Sequence, residues 1–313
     1  MKDIDVLCVG LAVVNFPVFP VDESLFSRDI TRVEAITLLP GGDAVNQSIV
    51  LSRLGAKTAL CCKRGNDGFG KGLLDLLNEF GDSIDVTGVI VDEKAATGVS
   101  VMMIRPDGQR HFCVHRGAMN NFRIENIDLA LIARAKVFSY TGMCSMPSID
   151  TDSGVVFKAA QEAGTVTVAD TKFVPAGLDT DAIMRQLAYV DYFFPSYDEA
   201  AALTGEKEPS RIAKILLETG VKHVGIKMGA DGCYFTDGKT EFYLPAIPAD
   251  VVDTTGAGDN FMSAFIAGLL RGCSHRVCCM LGIAAGAICV AQVGPCGAVK
   301  SFKQVHELME MNR

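Results

Sequence analysis

Asp253-Thr254-Thr255-Gly256-Ala257-Gly258-Asp259 is the stretch on which the reading of this chain turns. A run of small residues ends in an acid, and the apolar residues that follow from position 260 continue as a helix. Gly256, Ala257 and Gly258 therefore stand just before a helix, where backbone N–H groups converge on an anion and small side chains let it approach. Asp259 falls in the first helical turn, where the helix dipole favours an ionised carboxylate. A carboxylate that accepts a hydroxyl proton beside a nest of N–H donors is most of what phosphoryl transfer asks of a protein, a metal ion being the rest. Taken alone, the same residues also suit a plain helix cap behind a glycine turn.

Around this run the chain alternates between strand and helix. Apolar runs predict strands at 6–10, 57–62, 137–140, 166–169, 192–194 and 224–227. Helical spacing predicts helices at 44–54, 71–80, 155–163, 182–187, 199–204 and 211–219, with a long helical tail from 260 to about 290 broken near Gly272. Such alternation reads as an α/β fold with a mostly parallel sheet covered on both faces. The segments 12–20, with Pro17 and Pro20, and 31–39 lack crossover helices, as does the hairpin 98–104 and 110–115 around Pro106-Asp107-Gly108. They read as a small antiparallel β-sheet beside the main one, placed to act as a lid. The expectation is one domain over residues 1–313, with lid strands within 11–40 and 97–117.

Composition narrows the partners. Of 313 residues, 49% are hydrophobic and 21% charged, which suits a globular chain with a sizeable core. The net charge of -8 argues against nucleic acid, so an anionic ligand must be held by local devices. No apolar stretch reaches membrane-spanning length, and the charged start Met1-Lys2-Asp3 is no signal peptide; no membrane and a cytoplasmic location are expected. The 11 cysteines show no metal-ligand spacing and sit mostly in apolar runs, where reduced thiols pack as small hydrophobes. A dinucleotide-binding fold is set aside, because Gly10 is followed by Leu11-Ala12-Val13 and not by a Gly-x-Gly-x-x-Gly loop.

The Asp-Thr-x-Gly-Ala-Gly-Asp run is similar to the C-terminal signature of the ribokinase-like (PfkB) family of carbohydrate kinases. Gly41-Gly42-Asp43-Ala44-Val45-Asn46-Gln47-Ser48, followed by Gly55, Gly65 and Gly70, resembles the family's N-terminal signature. The resemblance covers essentially the whole chain and implies a three-layer ribokinase-like core with a small antiparallel lid. It implies ATP as phosphoryl donor, Mg²⁺ as cofactor and a small sugar or sugar acid as acceptor; the exposed edges of the lid sheet favour a homodimer formed through the lid. Asp259 would be the base, and Gly256, Ala257 and Gly258 the anion hole. Asn15, Gly41, Gly42 and Asn46 would meet the sugar. Lys172, Ser196, Lys227, Gly229, Gly232, Thr254 and Ile283 match the nucleotide side, and Glu199 would organise Mg²⁺ through water. Asp253, Thr255, Cys289, Gln292, Gly294 and Ala298 match a monovalent-cation site built mostly of backbone, which implies K⁺.

Three positions depart from the family pattern. Asn15 stands where the family usually has Asp, Ser196 opens the motif that usually begins with Asn, and Ile283 stands where a polar residue near adenine is common. An amide at 15 loses a charge-assisted acceptor, which bears on substrate identity. The same fold leaves a nucleoside kinase open, and these departures leave open a sugar-binding regulatory protein with weak or no kinase activity. The lid hairpin carries Arg105, Arg110, His111, His115 and Arg116. These form either a solvated face or, through Arg116 or Arg110, a bidentate contact to a substrate carboxylate or phosphate.

Overall fold

The computed structural model describes residues 2–106 and 109–313. In chain order the elements are β1 Ile4–Val9, β2 Val13–Phe19, β3 Ala35–Ile36, β4 Leu39–Gly41, α1 Asp43–Arg53, β5 Thr58–Gly65, α2 Gly68–Asn78, β6 Ile84–Asp92, β7 Gly98–Ile104 and β8 Arg110–His115. There follow α3 Leu129–Arg134, β9 Ala135–Met143, α4 Gly154–Glu162, β10 Val166–Thr171, α5 Thr180–Gln186, β11 Tyr192–Phe193, α6 Tyr197–Thr204, α7 Pro209–Glu218, β12 His223–Lys227, β13 Cys233–Thr236, β14 Glu241–Leu244, α8 Ala257–Leu270, α9 His275–Val290 and α10 Phe302–Met311.

Nine strands form the main sheet in the order β14-β13-β12-β11-β10-β9-β1-β5-β6. From β12 to β6 every pairing is parallel; β13 and β14 fold back antiparallel at one edge. Helices cover both faces and complete a three-layer ribokinase-like fold, which explains why β1 and β9 read as near-continuous apolar runs. Most of the buried apolar side chains join in one cluster that runs from Ile4 to Met309.

The second sheet has five strands, β3-β2-β7-β8 with β4 also on β2. Its β2–β3, β2–β4 and β7–β8 pairs are antiparallel, and β2 meets β7 in parallel. The hairpin expected at 98–115 is present as β7 and β8; Asp107 and Gly108 of its turn lie outside the described residues.

Segment 31–39 forms less strand than its composition suggests. Only Ala35 and Ile36 of it pair with β2 before the next pairing, which runs from Leu39 through Pro40 to Gly41. β6, β13, β14, α3 and α10 were not legible in the sequence. β13 and β14 have four residues each and α3 six, below the length at which periodicity separates from noise. β6 carries Asp85, Thr87 and Gly88 at a sheet edge, with a register shift that breaks its alternation. The helical tail divides as expected, at residues 271–274 between α8 and α9.

Candidate active site

Two helix starts meet above the C-terminal ends of the parallel strands, where open α/β sheets place ligands. α8 begins at Ala257 with Gly256 as its N-cap in the left-handed region, φ 77°. That cap has no side chain to offer; Ala257 N–H turns back to the Thr254 carbonyl oxygen at 3.3 Å, and the Gly258 and Asp259 N–H groups of the first turn have no side-chain cap and are the ones that can serve an anion. Asp259 is therefore not the cap. It lies in the first turn, 7% exposed, and its Oδ2 accepts a hydrogen bond of 2.7 Å from Asn46 Nδ2.

Asn46 comes from the first turns of α1, which starts immediately after Gly42. Gly42 adopts φ 94°, and a Cβ there would stand 2.3 Å from the Leu11 carbonyl oxygen, so only glycine fits. Gly41 lies directly over Asn15, with the place of its missing Cβ 2.0 Å from Asn15 Nδ2. Asn15 is itself buried on β2 and donates to the Pro40 carbonyl oxygen at 3.4 Å. Asn46 faces inward at 4% exposure, and its Oδ1 is buried without a protein partner. Of the residues expected to meet a sugar, Asn46 contacts Asp259, and Asn15 packs against Gly41 at the approach to α1.

Charge around Asp259 is dense. Lys172, just past β10, bonds Asp43 Oδ1 at 2.7 Å, and Lys227, ending β12, bonds Asp170 Oδ1 at 2.5 Å. Burial above all, then the carboxylates of Asp43 and Asp170, push Asp259 well above the usual carboxylate range; Lys172 and the Asn46 donor pull it back. Asp170 is pushed up to about 6, chiefly by burial, with Lys227 opposing. Burial by itself would lower the Lys227 ammonium, but Asp170 and Glu199 outweigh it and hold it above the ordinary lysine value. The Lys227 ammonium also lies 3.3 Å from where a Cβ of Gly258 would be, so it flanks the anion turn.

Ser196 is the N-cap of α6, and it shares a capping box with Glu199. Glu199 accepts from Ser196 N at 2.9 Å, Thr171 Oγ1 at 2.7 Å and Phe173 N at 3.1 Å, which leaves about one of its four lone-pair positions open. Gly229 and Gly232 bracket a turn after β12, and Ile283 lines an apolar groove with Leu244, Ile247, Val277 and Met280.

The expected cation residues are gathered in part. Asp253 Oδ2 accepts from Gly294 N at 2.9 Å; Oδ1 accepts from Thr255 N at 2.9 Å, from Thr255 Oγ1 at 2.6 Å and from Arg110. Cys289 Sγ donates to the Thr255 carbonyl oxygen at 3.4 Å, and Gln292 N to the Cys289 carbonyl oxygen at 3.3 Å. The Ala298 carbonyl oxygen instead accepts from Gln304 Nε2 at 3.3 Å.

Arg110 crosses from β8 to bond both Asp253 and Thr254, tying the smaller sheet to the glycine turn. Arg116 donates to the Ser145 carbonyl oxygen and faces Asp150. Sequence reasoning gave Asp43 no role of its own within the Gly41–Ser48 signature. Its signal was available, an acid at the first position of a helix behind two glycines.

The model of the pfkB family carbohydrate kinases matches residues 3–301, and the chain belongs to that family. It is 28% identical over 288 residues to probable fructokinase-5 of Arabidopsis thaliana, covering 87% of this chain and 88% of that one. It is 30% identical to the 2-dehydro-3-deoxygluconokinase of Thermoproteus tenax, over 86% of this chain and 85% of that one. Its structure superposes on Arabidopsis thaliana ribokinase complexed with ribose and ATP with a TM-score of 0.80 at 26% identity, over 98% and 99% of the two chains.

Proposed function

We propose that this protein transfers the terminal phosphoryl group of ATP to a hydroxyl of a small sugar or sugar acid. The observation that carries the reading is the buried Asn46–Asp259 contact at 2.7 Å, beside an N-terminal turn with no side-chain cap. Asp259 takes the proton of the acceptor hydroxyl, and its raised affinity for protons makes it a stronger base than an exposed aspartate. Asn46 orients that carboxylate, and its unpartnered Oδ1 accepts from a second hydroxyl of the acceptor. The N–H groups of the first α8 turn face the charge that develops on the transferred group, with Lys227 alongside. The smaller sheet acts as a lid, and Arg110 closes it onto the glycine turn.

The donor set fits Mg²⁺ as a hard cation. Asp43, Asp170 and Glu199 supply carboxylate oxygens, and Asp43 Oδ2 is buried without a protein partner. Those residues would hold the ion through water, and it would neutralise charge on the phosphates. A monovalent cation is less well served. Asp253 Oδ1 already accepts from three donors and Oδ2 from Gly294 N, and no step is assigned to K⁺.

The test is a coupled ADP-release screen over ketoses, aldoses, sugar acids and their phosphates, run with wild type and Asp259→Asn. Sugar-dependent ADP release by wild type that is lost in the variant supports the reading. Turnover with adenosine or inosine alone would replace the sugar by a nucleoside, and absence of any acceptor-dependent release would overturn the kinase reading.

A further inference from the structure

At the end of β12 opposite Lys227, three side chains converge that the phosphoryl-transfer reading does not use. His223 opens β12, Asp237 follows β13 and His275 opens α9. The β12–β13 register, Val224 opposite Thr236, makes His223 and Asp237 cross-strand neighbours. Each of the three offers a ligand atom within 4.8 Å of the other two, and all three are half-buried. The two imidazoles stand 4.7 Å apart between ring centroids at 65°.

Their outer contacts are those of metal ligands. His223 Nδ1 lies 2.9 Å from the Asp191 carbonyl oxygen, which fixes the proton on Nδ1 and leaves Nε2 as the unprotonated nitrogen. Tyr192 lies flat on the same ring at 4.3 Å and 11°, holding its plane, while its hydroxyl is 3.0 Å from His275 Nε2. With Nε2–H donating to that hydroxyl oxygen, His275 presents Nδ1 as its unprotonated nitrogen. Asp237 is held by its Oδ1, which accepts from Lys239 N at 2.9 Å and Thr240 N at 2.6 Å, so Oδ2 is the oxygen available. Both rings are thus oriented by outer partners, and one carboxylate oxygen remains.

We infer that His223, Asp237 and His275 form a binding site for a borderline divalent cation of the Zn²⁺ class, completed by solvent, that clasps the start of α9 to β12 and β13. Two imidazoles and one carboxylate suit Zn²⁺, Co²⁺ or Ni²⁺ better than Mg²⁺, which prefers an all-oxygen shell. Half-burial leaves room for a water ligand. The site is separate from the carboxylates around Asp43 and Asp170, so its occupancy does not depend on nucleotide.

The test uses the full chain stripped with chelator, titrated with Zn²⁺ by calorimetry and with Co²⁺ by visible absorption. Wild type is expected to bind one equivalent with a Co²⁺ spectrum lacking thiolate charge transfer, and Zn²⁺ is expected to raise its melting midpoint by a few degrees. His275→Gln and Asp237→Asn each lose that equivalent and the thermal shift while keeping ADP-release activity, which certifies their fold. Equal metal uptake by wild type and both variants, a thiolate spectrum, or no uptake by wild type would each overturn the assignment.

Discussion

Replacing Lys227 with Met removes one half of the ion pair that flanks the anion turn. The ammonium is 12% and Asp170 8% exposed, and their 2.5 Å separation corresponds to a gross attraction of roughly 7 kcal/mol at an effective dielectric of about 20. Desolvation of both charges offsets much of that, so the pair's net worth is smaller. Removing one partner strands the other, and an uncompensated buried carboxylate costs about 3–5 kcal/mol. The cost depends on pH. Asp170 already binds its proton more tightly when folded, at about 6 against 3.8 unfolded, and losing Lys227 raises it further. A carboxylate whose folded value is raised contributes its stability below the unfolded value and loses it as pH rises through the folded one. Lys227→Met is therefore expected to lose about 3–5 kcal/mol at pH 7.5, measured by urea unfolding, and distinctly less at pH 5. Asp170→Asn in the Lys227→Met background should recover most of the loss at pH 7.5. A pH-independent change below about 1 kcal/mol would refute the buried-pair argument.

Asp259→Asn is expected to lower kcat by about 10²–10⁴ while leaving sugar binding measurable by calorimetry, since it removes a proton acceptor and little volume. Asn46→Leu removes a donor that pulls the Asp259 carboxyl down. Because the base works ionised, the acidic limb of its kcat/KM profile should move to higher pH than in wild type; an unmoved or lower limb would contradict the pairing. Gly42→Ala places a Cβ against the Leu11 carbonyl at positive φ, and overpacking there should cost about 1–3 kcal/mol, read as a lower melting midpoint.

The large pattern was legible in the chain because it is local. Alternating apolar runs and helical spacings located the parallel strands, and Gly256 before a long apolar stretch located the start of α8. Gly41 and Gly42, with Asn46 four residues past Gly42, marked the other helix start, and the two signatures together pointed to the family. Short edge elements such as β13, β14 and α3 escaped because a few residues carry no period.

What the sequence could not decide was whether Asp259 caps a helix or faces a substrate, since both readings use the same seven residues. The tertiary structure gives the cap to Gly256 and brings Asn46 from 213 residues away to 2.7 Å from the Asp259 carboxylate. Chain-distant pairs of this kind are set by how the strands order themselves in the sheet. The Lys172–Asp43 and Lys227–Asp170 pairs arise in the same way, as does the meeting of His223, Asp237 and His275. Local propensity determined each helix and strand start on its own, and only long-range packing, which no spacing along the chain encodes, determined which charges face one another.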